Sequence, residues 1–192
     1  MPHVPNTIGG VSPAAHAMRT EHALSALRVE WALKLGQRLK AASPMGNAEG
    51  EWFRSGAAWL QPGSVFSAVA VPAPLIHAAV DRRSPEEAAA PLAEALDGPV
   101  YYRPSRFDLD EEYTVLLSVS DGEAWDMPPT RRIGTHAFVR VPAPGRYRPR
   151  VDGDSWWVVP ATGPDLCTAA RLAALLDAGW QRNRCFTGGR GD

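Results

Sequence analysis

The segment that most constrains the fold is the run GSVFSAVAVP at residues 63–72. It consists of apolar and small residues, several of them β-branched or aromatic, and it lies between Pro62 and the closing Pro72. A short continuous apolar run bounded by turn residues is typical of a strand buried inside a sheet. We therefore predict a buried central strand over residues 64–71.

A long amphipathic pattern covers residues 19–42. Its apolar residues recur at steps of three and four, which is the spacing of one stripe along a helix. They are Leu24, Leu27, Trp31, Leu35 and Leu39. The dipeptide Ser43-Pro44 and Gly46 then end the pattern. We predict a helix over 19–42 that packs against the domain, and we also consider it as the docking surface for a protein partner.

The remaining elements follow from turn residues and short apolar runs. Ser84 precedes Pro85 and two acidic residues, a composition typical of a helix N-terminus, and this helix should end at about Leu96. Further helices are predicted over 51–60 and 164–178, and strands over 100–102, 113–120, 135–141 and 156–159. This order predicts an α+β fold, with one domain over residues 18–180 and a mixed β-sheet backed by helices. The Gly-rich and polar ends, 1–17 and 181–192, are predicted to be disordered or flexible tails.

Composition narrows the class of protein. A formal net charge of −1 over 192 residues gives no overall attraction to nucleic acid or membrane, and 45% apolar residues suffice for a core. Cys167 and Cys185 match neither a disulfide framework nor a zinc site, and Cys167 falls in an apolar helical pattern as a small buried residue. No apolar run is long enough to span a bilayer and no signal peptide is evident, so we expect a cytoplasmic protein that does not contact membranes.

Two neighbouring segments carry opposite charge. Residues 108–126 contain seven acidic residues and no basic ones, whereas residues 131–150 contain only basic charges. The basic segment predicts contact with nucleic-acid phosphates, DNA or RNA, and Tyr147 could add a stacking surface. Its arginines are Arg131, Arg132, Arg140, Arg146, Arg148 and Arg150. The alternative is that the two segments neutralise each other across a sheet or loop.

Other polar groups give weaker indications of a site. Asp108 and Asp110 in the run DLDEE, and Asp154 beside Gly153, are candidate ligands for a divalent cation, although acidic runs are usually solvated and Asp-Gly pairs usually form turns. His136, in a predicted strand, is a candidate general base without a partner at a recognisable spacing. The pair Trp156-Trp157 is expected to pack on both faces of a covered sheet.

Four segments together resemble a known family. They are GSVFSAVAVP, GPVYYRP from Gly98, YTVLLSV from Tyr113 and DSWWVVPATGPD from Asp154. Their order is similar to that of the primase-polymerase (prim-pol) N-terminal domains of the archaeo-eukaryotic primase superfamily, in their short actinobacterial form. The resemblance covers roughly residues 55–178. It implies a primase-polymerase-like core in which an FDxxDVP strand supplies metal-binding aspartates for nucleotidyl transfer by Mg²⁺ or Mn²⁺.

This chain departs from that pattern where the chemistry is expected. Ser67 and Ala70 occupy the positions of the family's aspartates, and neither side chain offers a carboxylate to a metal. The resemblance therefore implies a degenerate, non-catalytic domain that binds nucleic acid or a replication or regulatory partner and needs no cofactor. Two alternatives stay open: an active nucleotidyltransferase whose ligands come from Asp108, Asp110 or Asp154, and a protein-interaction module with no nucleic-acid role.

Overall fold

A computed structural model describes residues 13–106, 109–151, 153–161, 163 and 165–187, with side chains from Ser25 to Arg182. The helices are α1 Pro13–Lys40, α2 Ala48–Ser55, α3 Ala73–Val80, α4 Pro85–Leu96, α5 Val119–Glu123 and α6 Ala169–Thr187. The strands are β1 Ala57–Leu60, β2 Ser67–Pro72, β3 Val100–Arg103, β4 Glu112–Leu117, β5 Arg131–Ile133, β6 Val139–Pro142 and β7 Trp156–Val159. The predicted α+β class is confirmed.

Five strands form one sheet in the order β5-β2-β4-β3-β7, and β1 pairs separately with β6. The predicted buried strand is β2, which lies between β5 and β4 with five of its six residues buried. Every pair of described strands is antiparallel. The prediction of a mixed sheet implied parallel pairing as well. Among the described residues, parallel pairing occurs in one isolated bridge, between Leu117 and Cys167.

Each face of the sheet has its own core because successive side chains of a strand point to opposite faces. Val69 and Val71 of β2 face the core formed with α3, α4 and α6. Ala68 and Ala70 face the second core, which includes the end of α1, α2 and the β1–β6 pair. Trp156 and Trp157 divide in the same way, Trp156 into the first core and Trp157 into the second, as predicted.

Local capping explains where several predictions hold and where they are wrong. Helix α4 begins as predicted, with the Ser84 hydroxyl accepting a hydrogen bond from the backbone N–H of Glu87. The helix predicted over 51–60 instead ends at Ser55, because Gly56 adopts a left-handed conformation (φ 72°) and the chain continues as β1. The strand predicted over 113–120 ends at Leu117, since the Ser118 hydroxyl caps α5.

Helix α1 enters the core through its C-terminal part. Of its predicted apolar stripe, Leu35 and Leu39 are buried and Trp31 is partly buried, whereas Leu27 is 48% exposed. Gly36 permits the anchored end to approach Pro144 closely, because a β-carbon there would lie 3.0 Å from Pro144 Cγ. The expectation that the whole stripe packs against the domain is therefore wrong for Leu27.

Both terminal helices extend past the predicted domain boundaries: α1 begins at Pro13 and α6 continues to Thr187. Residues 1–12 and 188–192, which belong to the predicted tails, lie outside the described residues. Cys167 is buried, and burial raises the pKa of its thiol to about 12, which agrees with the predicted packing role. No helix in the described ranges combines the length and the apolar character that crossing a bilayer requires.

Candidate nucleic-acid interface

The first two arginines of the basic segment lie on β5, at one edge of the five-stranded sheet. The Arg131 guanidinium reaches the Glu112 carboxylate at 3.5 Å. Arg132 donates to the backbone carbonyls of Gly122 and Glu123, at 3.3 and 3.0 Å. The Arg131 contact supports the neutralisation alternative, because Glu112 belongs to the acidic segment, whereas the contacts of Arg132 are to backbone carbonyls of that segment.

Arg146 is an internal residue, with 9% of its side chain exposed. Its Nη1 donates to Asp154 Oδ2 at 2.7 Å, and the guanidinium packs against Gly56, where a β-carbon would lie 1.6 Å from Arg146 Nη2. With its charge paired and almost fully covered, Arg146 is poorly placed for the predicted phosphate contact. Asp154, a candidate metal ligand, is engaged in the same ion pair.

The rest of the basic segment borders a groove of about 680 Å³ between α2 and the loop 143–150. Arg148 and Arg150 are exposed on its wall. Within the described ranges, no carboxylate forms an ion pair with either guanidinium. The residues lining the groove are Trp52, Phe53, Ala143, Pro144, Gly145, Arg146, Tyr147, Arg148 and Arg150, with no acidic residue among them.

Aromatic rings line the same groove. Phe53 projects from α2 with 87% of its surface exposed, although a ring of this size usually contributes to a core. Tyr147 is partly exposed on the facing loop. Burial raises the pKa of its hydroxyl, while the nearby Arg28 of α1 opposes that shift, so α1 lies close to this end of the groove. Trp52 is buried beneath, with its Nε1 donating to the Val141 carbonyl at 3.2 Å.

Backbone hydrogen bonds fix the base of the loop. The Ala143 N–H donates to the Gly56 carbonyl at 2.9 Å, and the Arg146 N–H donates to the Ala143 carbonyl at 3.0 Å. From the sheet, Trp157 donates through its N–H to the Arg146 carbonyl and through its Nε1 to the Ala143 carbonyl, at 2.8 and 3.1 Å. The exposed side chains of the groove are thus held on a rigid base.

Arg140 occupies a fourth place, away from the groove lining. It is exposed on β6, and its register partner across the two-stranded sheet is the half-exposed Trp59 of β1. The predicted nucleic-acid-binding residues of the basic segment therefore lie in four separate places: a sheet edge, an internal ion pair, a groove wall and this outer strand face. Only Tyr147, Arg148 and Arg150 are brought together as an accessible group.

The candidate metal ligands are not assembled in the described residues. Asp110 lies in an exposed loop, where its carbonyl accepts a hydrogen bond from Arg103, and Asp108 lies outside the described residues. No cluster of three His, Cys, Asp or Glu side chains with metal-binding geometry occurs in the described part of the chain. His136 was expected in a strand but lies in an exposed turn, because only Val139–Pro142 of that segment forms β6.

The two positions where the resemblance expects aspartates lie on opposite faces of β2. Ala70 faces the core that includes α2, while Ser67 follows the opposite alternation and donates to the Val119 carbonyl at 3.4 Å. Gly122 packs directly over Ser67, since a β-carbon there would lie 2.0 Å from Ser67 Cβ. This environment is small and closed, so Ser67 has a packing role here.

A second polar cluster was not predicted. His77 Nε2 and the Tyr113 hydroxyl are 2.9 Å apart, and Tyr102 donates to the Glu111 carboxylate nearby. Partial burial lowers the pKa of His77, although the negative charges of Glu111 and Glu87 act to raise it. The imidazole and the two tyrosines, whose pKa values burial raises, form a hydrogen-bonded cap on the first core. Their separation in sequence left no motif to find.

The exposure of Phe53 in the groove was also not predicted. The predicted 51–60 helix carries Trp52 and Trp59 as well, so sequence alone favours burial of its aromatic rings. A helical wheel over the observed α2 gives the only usable signal, because it places Trp52 and Phe53 about 100° apart.

Comparison with known protein families, with curated proteins and with solved structures finds no match to this chain.

Proposed function

We propose that this chain is a cytoplasmic, non-catalytic domain that binds single-stranded nucleic acid in the groove between α2 and the loop 143–150. The observation that carries the proposal is the combination, on one concave surface, of exposed rings and arginines that form no ion pair within the described part of the chain. Phe53 and Tyr147 supply the rings, and Arg148 and Arg150 supply the charge. Proteins that hold single strands combine these elements, with bases stacking on aromatic rings and cations following the phosphates.

The charge distribution supports the groove rather than the whole surface as the binding site. With a net charge of −1, the protein has no overall attraction for a polyanion. The groove lining contains three arginines and no carboxylate, and Arg146 beneath it is neutralised by Asp154. Local attraction thus rests on two guanidinium groups, which predicts modest affinity with a shallow salt dependence.

The rings favour a single strand over a duplex. Phe53 presents an almost fully exposed face, which a base can cover only when it is not already stacked inside a double helix. Stacking of one base on an aromatic ring contributes about 1–3 kcal/mol, which is comparable to the contribution of the two arginines together. We therefore expect stacking to determine the preference for single strands and charge to determine the salt dependence.

Fluorescence anisotropy with a labelled oligo(dT) and a matched duplex tests the proposal. The double variant Arg148→Ala/Arg150→Ala should weaken binding to the single strand about tenfold at low salt. It should also reduce the slope of log K against log salt by about 1.4, because each phosphate contact on a single strand contributes about 0.7. The matched control is Arg82→Ala/Arg83→Ala, which removes the same charge from the exposed loop between α3 and α4.

Equal losses in the two double variants would assign binding to overall charge and contradict the groove. Absence of binding to any oligonucleotide in low salt would overturn the proposal altogether. Tighter binding to the duplex than to the single strand would contradict the role given to Phe53. A parallel primer-extension reaction with Mn²⁺ examines the non-catalytic part, since nucleotide incorporation that Asp110→Ala abolishes would replace it with the nucleotidyltransferase alternative.

A further inference from the structure

A second groove, of about 450 Å³, lies between α1 and α2 and adjoins the first groove, between α2 and the loop 143–150. Pro144 of the loop reaches α1 at Gly36, where a β-carbon would lie 3.0 Å from Pro144 Cγ. The residues that line both grooves are Trp52, Phe53, Ala143 and Pro144. The two grooves therefore meet along these residues, and a ligand that is long enough can contact both.

Exposed apolar side chains from both helices border the second groove. Leu33 of α1 is 64% exposed, and Phe53 of α2 is almost fully exposed. Leu35 and Leu39 of α1 belong to the core, so the packing of α1 on the domain does not account for Leu33. Large apolar side chains that are exposed together, instead of singly, are typical of a ligand-binding groove.

The charges of the second groove differ from those of the first. Among the described residues that line it, the charged ones are Lys40 and Glu49, and these two form an ion pair with each other. The first groove instead has three arginines and no carboxylate in its lining. A phosphate therefore finds its cations in the first groove, and the second is suited to an uncharged group.

The side chains of the second groove match the chemistry of a nucleobase. A base has an apolar face and a polar edge that both donates and accepts hydrogen bonds. Leu33 and Phe53 supply apolar surface, and the exposed Gln37 supplies an amide that can donate and accept. A volume of about 450 Å³ is within the range of small-molecule sites.

We infer that a bound single strand occupies both grooves, with one base stacked on Phe53 in the first groove and the base of the adjacent nucleotide in the second groove against Leu33. This inference rests on the proposed function and adds a second base subsite to it. Phe53 lines both grooves, so it lies between the two bases. The phosphates stay on the side of Arg148 and Arg150.

Fluorescence anisotropy with labelled abasic DNA decamers that contain no thymine, one thymine or two adjacent thymines separates the two subsites. The three probes have the same backbone charge, so differences in affinity report on the bases. The first thymine should raise the affinity about tenfold and the second about fivefold more, which is the lower end of the effect of one stacked base. Leu33→Ala should remove most of the second gain and keep the first.

Val29→Ala is the matched control, because Val29 lies one turn from Leu33 on α1, is 59% exposed and is not part of the groove lining. It should keep both gains. Since Leu33 is also largely exposed, its truncation should leave the melting temperature unchanged, which verifies that the fold is intact.

A second thymine that adds no affinity to the unaltered protein would overturn the inference. A second gain that survives Leu33→Ala, or that Val29→Ala removes to the same extent, would place the second base outside this groove and overturn it as well. The first thymine tests the proposed function separately. If it adds no affinity, stacking on Phe53 is contradicted, whereas a first gain without a second one leaves the first groove as the binding site.

Discussion

Five of the six arginines of residues 131–150 fall into two groups that differ in what surrounds them. Arg131, Arg132 and Arg146 contact carboxylates or carbonyls of the protein itself, whereas Arg148 and Arg150 face a groove with no acidic lining residue. Arg146 and Arg148 are separated by one residue, yet the first is almost fully covered and the second exposed. A basic run in the sequence therefore does not by itself predict a basic surface. The contacts that the fold gives to each arginine decide whether its charge is exposed.

The sharpest way to break this distinction is to remove the partner of the covered arginine. Asp154→Ala leaves the guanidinium of Arg146, a side chain that is 9% exposed, without its carboxylate, so unfolding should become about 3 kcal/mol easier. The loop 143–150 should loosen, and single-strand binding should fall with it. Urea denaturation measures the change, with Asp110→Ala, an exposed aspartate, as the control. A loss below about 1 kcal/mol would mean that Arg146 is less confined than its contacts indicate.

A second change acts on the other side of the same guanidinium. Gly56→Ala introduces a β-carbon at a left-handed backbone position and into the space that Arg146 occupies, and should cost about 2 kcal/mol. Gly134→Ala is the control, because a β-carbon there meets nothing within 4 Å. Adding Arg146→Ala to Gly56→Ala should give less than the sum of the single losses, since both changes disturb one contact. Strict additivity would contradict the packing of Arg146 on Gly56.

For the exposed side chains of the groove we expect the opposite result, namely weaker nucleic-acid binding with little change in stability. Phe53→Ala should lower affinity for oligo(dT) about tenfold, which follows from the loss of one stacked base, while the free energy of unfolding changes by less than about 0.5 kcal/mol. Anisotropy and urea denaturation on the same sample separate the two quantities. Phe138→Ala, at another half-exposed ring outside the groove lining, should alter neither. A large loss of stability in Phe53→Ala would place that ring in the core.

The smallest effect is expected at the exposed ion pair of the sheet edge. Arg131 is 63% exposed and 3.5 Å from Glu112, so Arg131→Ala should destabilise the protein by no more than about 0.5 kcal/mol. Glu112 keeps its shorter contact with Arg103, at 3.1 Å, in that variant. Thermal unfolding of the two variants compares this loss of stability with that of Asp154→Ala. Equal losses at Arg131 and at Asp154 would erase the distinction between the two groups.

The elements that sequence predicts well are those with strong local causes. The apolar run that becomes β2 and the Ser84–Pro85 start of α4 depend on residues next to one another, and both appear in the structure. The predicted helix over 51–60 failed at one residue, because the left-handed conformation of Gly56 ends α2 and lets β1 begin. A glycine permits the left-handed conformation, but its presence in the sequence does not show that the helix ends there.

The candidate site was harder to predict because it joins distant parts of the chain. The groove exists only where α2 meets the loop 143–150, about ninety residues later, and no local pattern around Phe53 indicates that contact. The Arg146–Asp154 pair had a weak signal, since the turn at Gly153 brings the chain back over eight residues. A basic run and an acidic residue at that spacing are equally consistent with solvated side chains.

The edge position of Arg131 and Arg132 has a consequence for how the protein behaves when concentrated. Strand β5 has a single neighbour, β2, among the described strands, so the outer side of its backbone is a place where another extended chain could add by hydrogen bonding. The strand is only three residues long and two of them are cationic. A second copy approaching this edge meets like charge before it can form more than a few backbone hydrogen bonds, and sheet-to-sheet aggregation is thereby discouraged at β5.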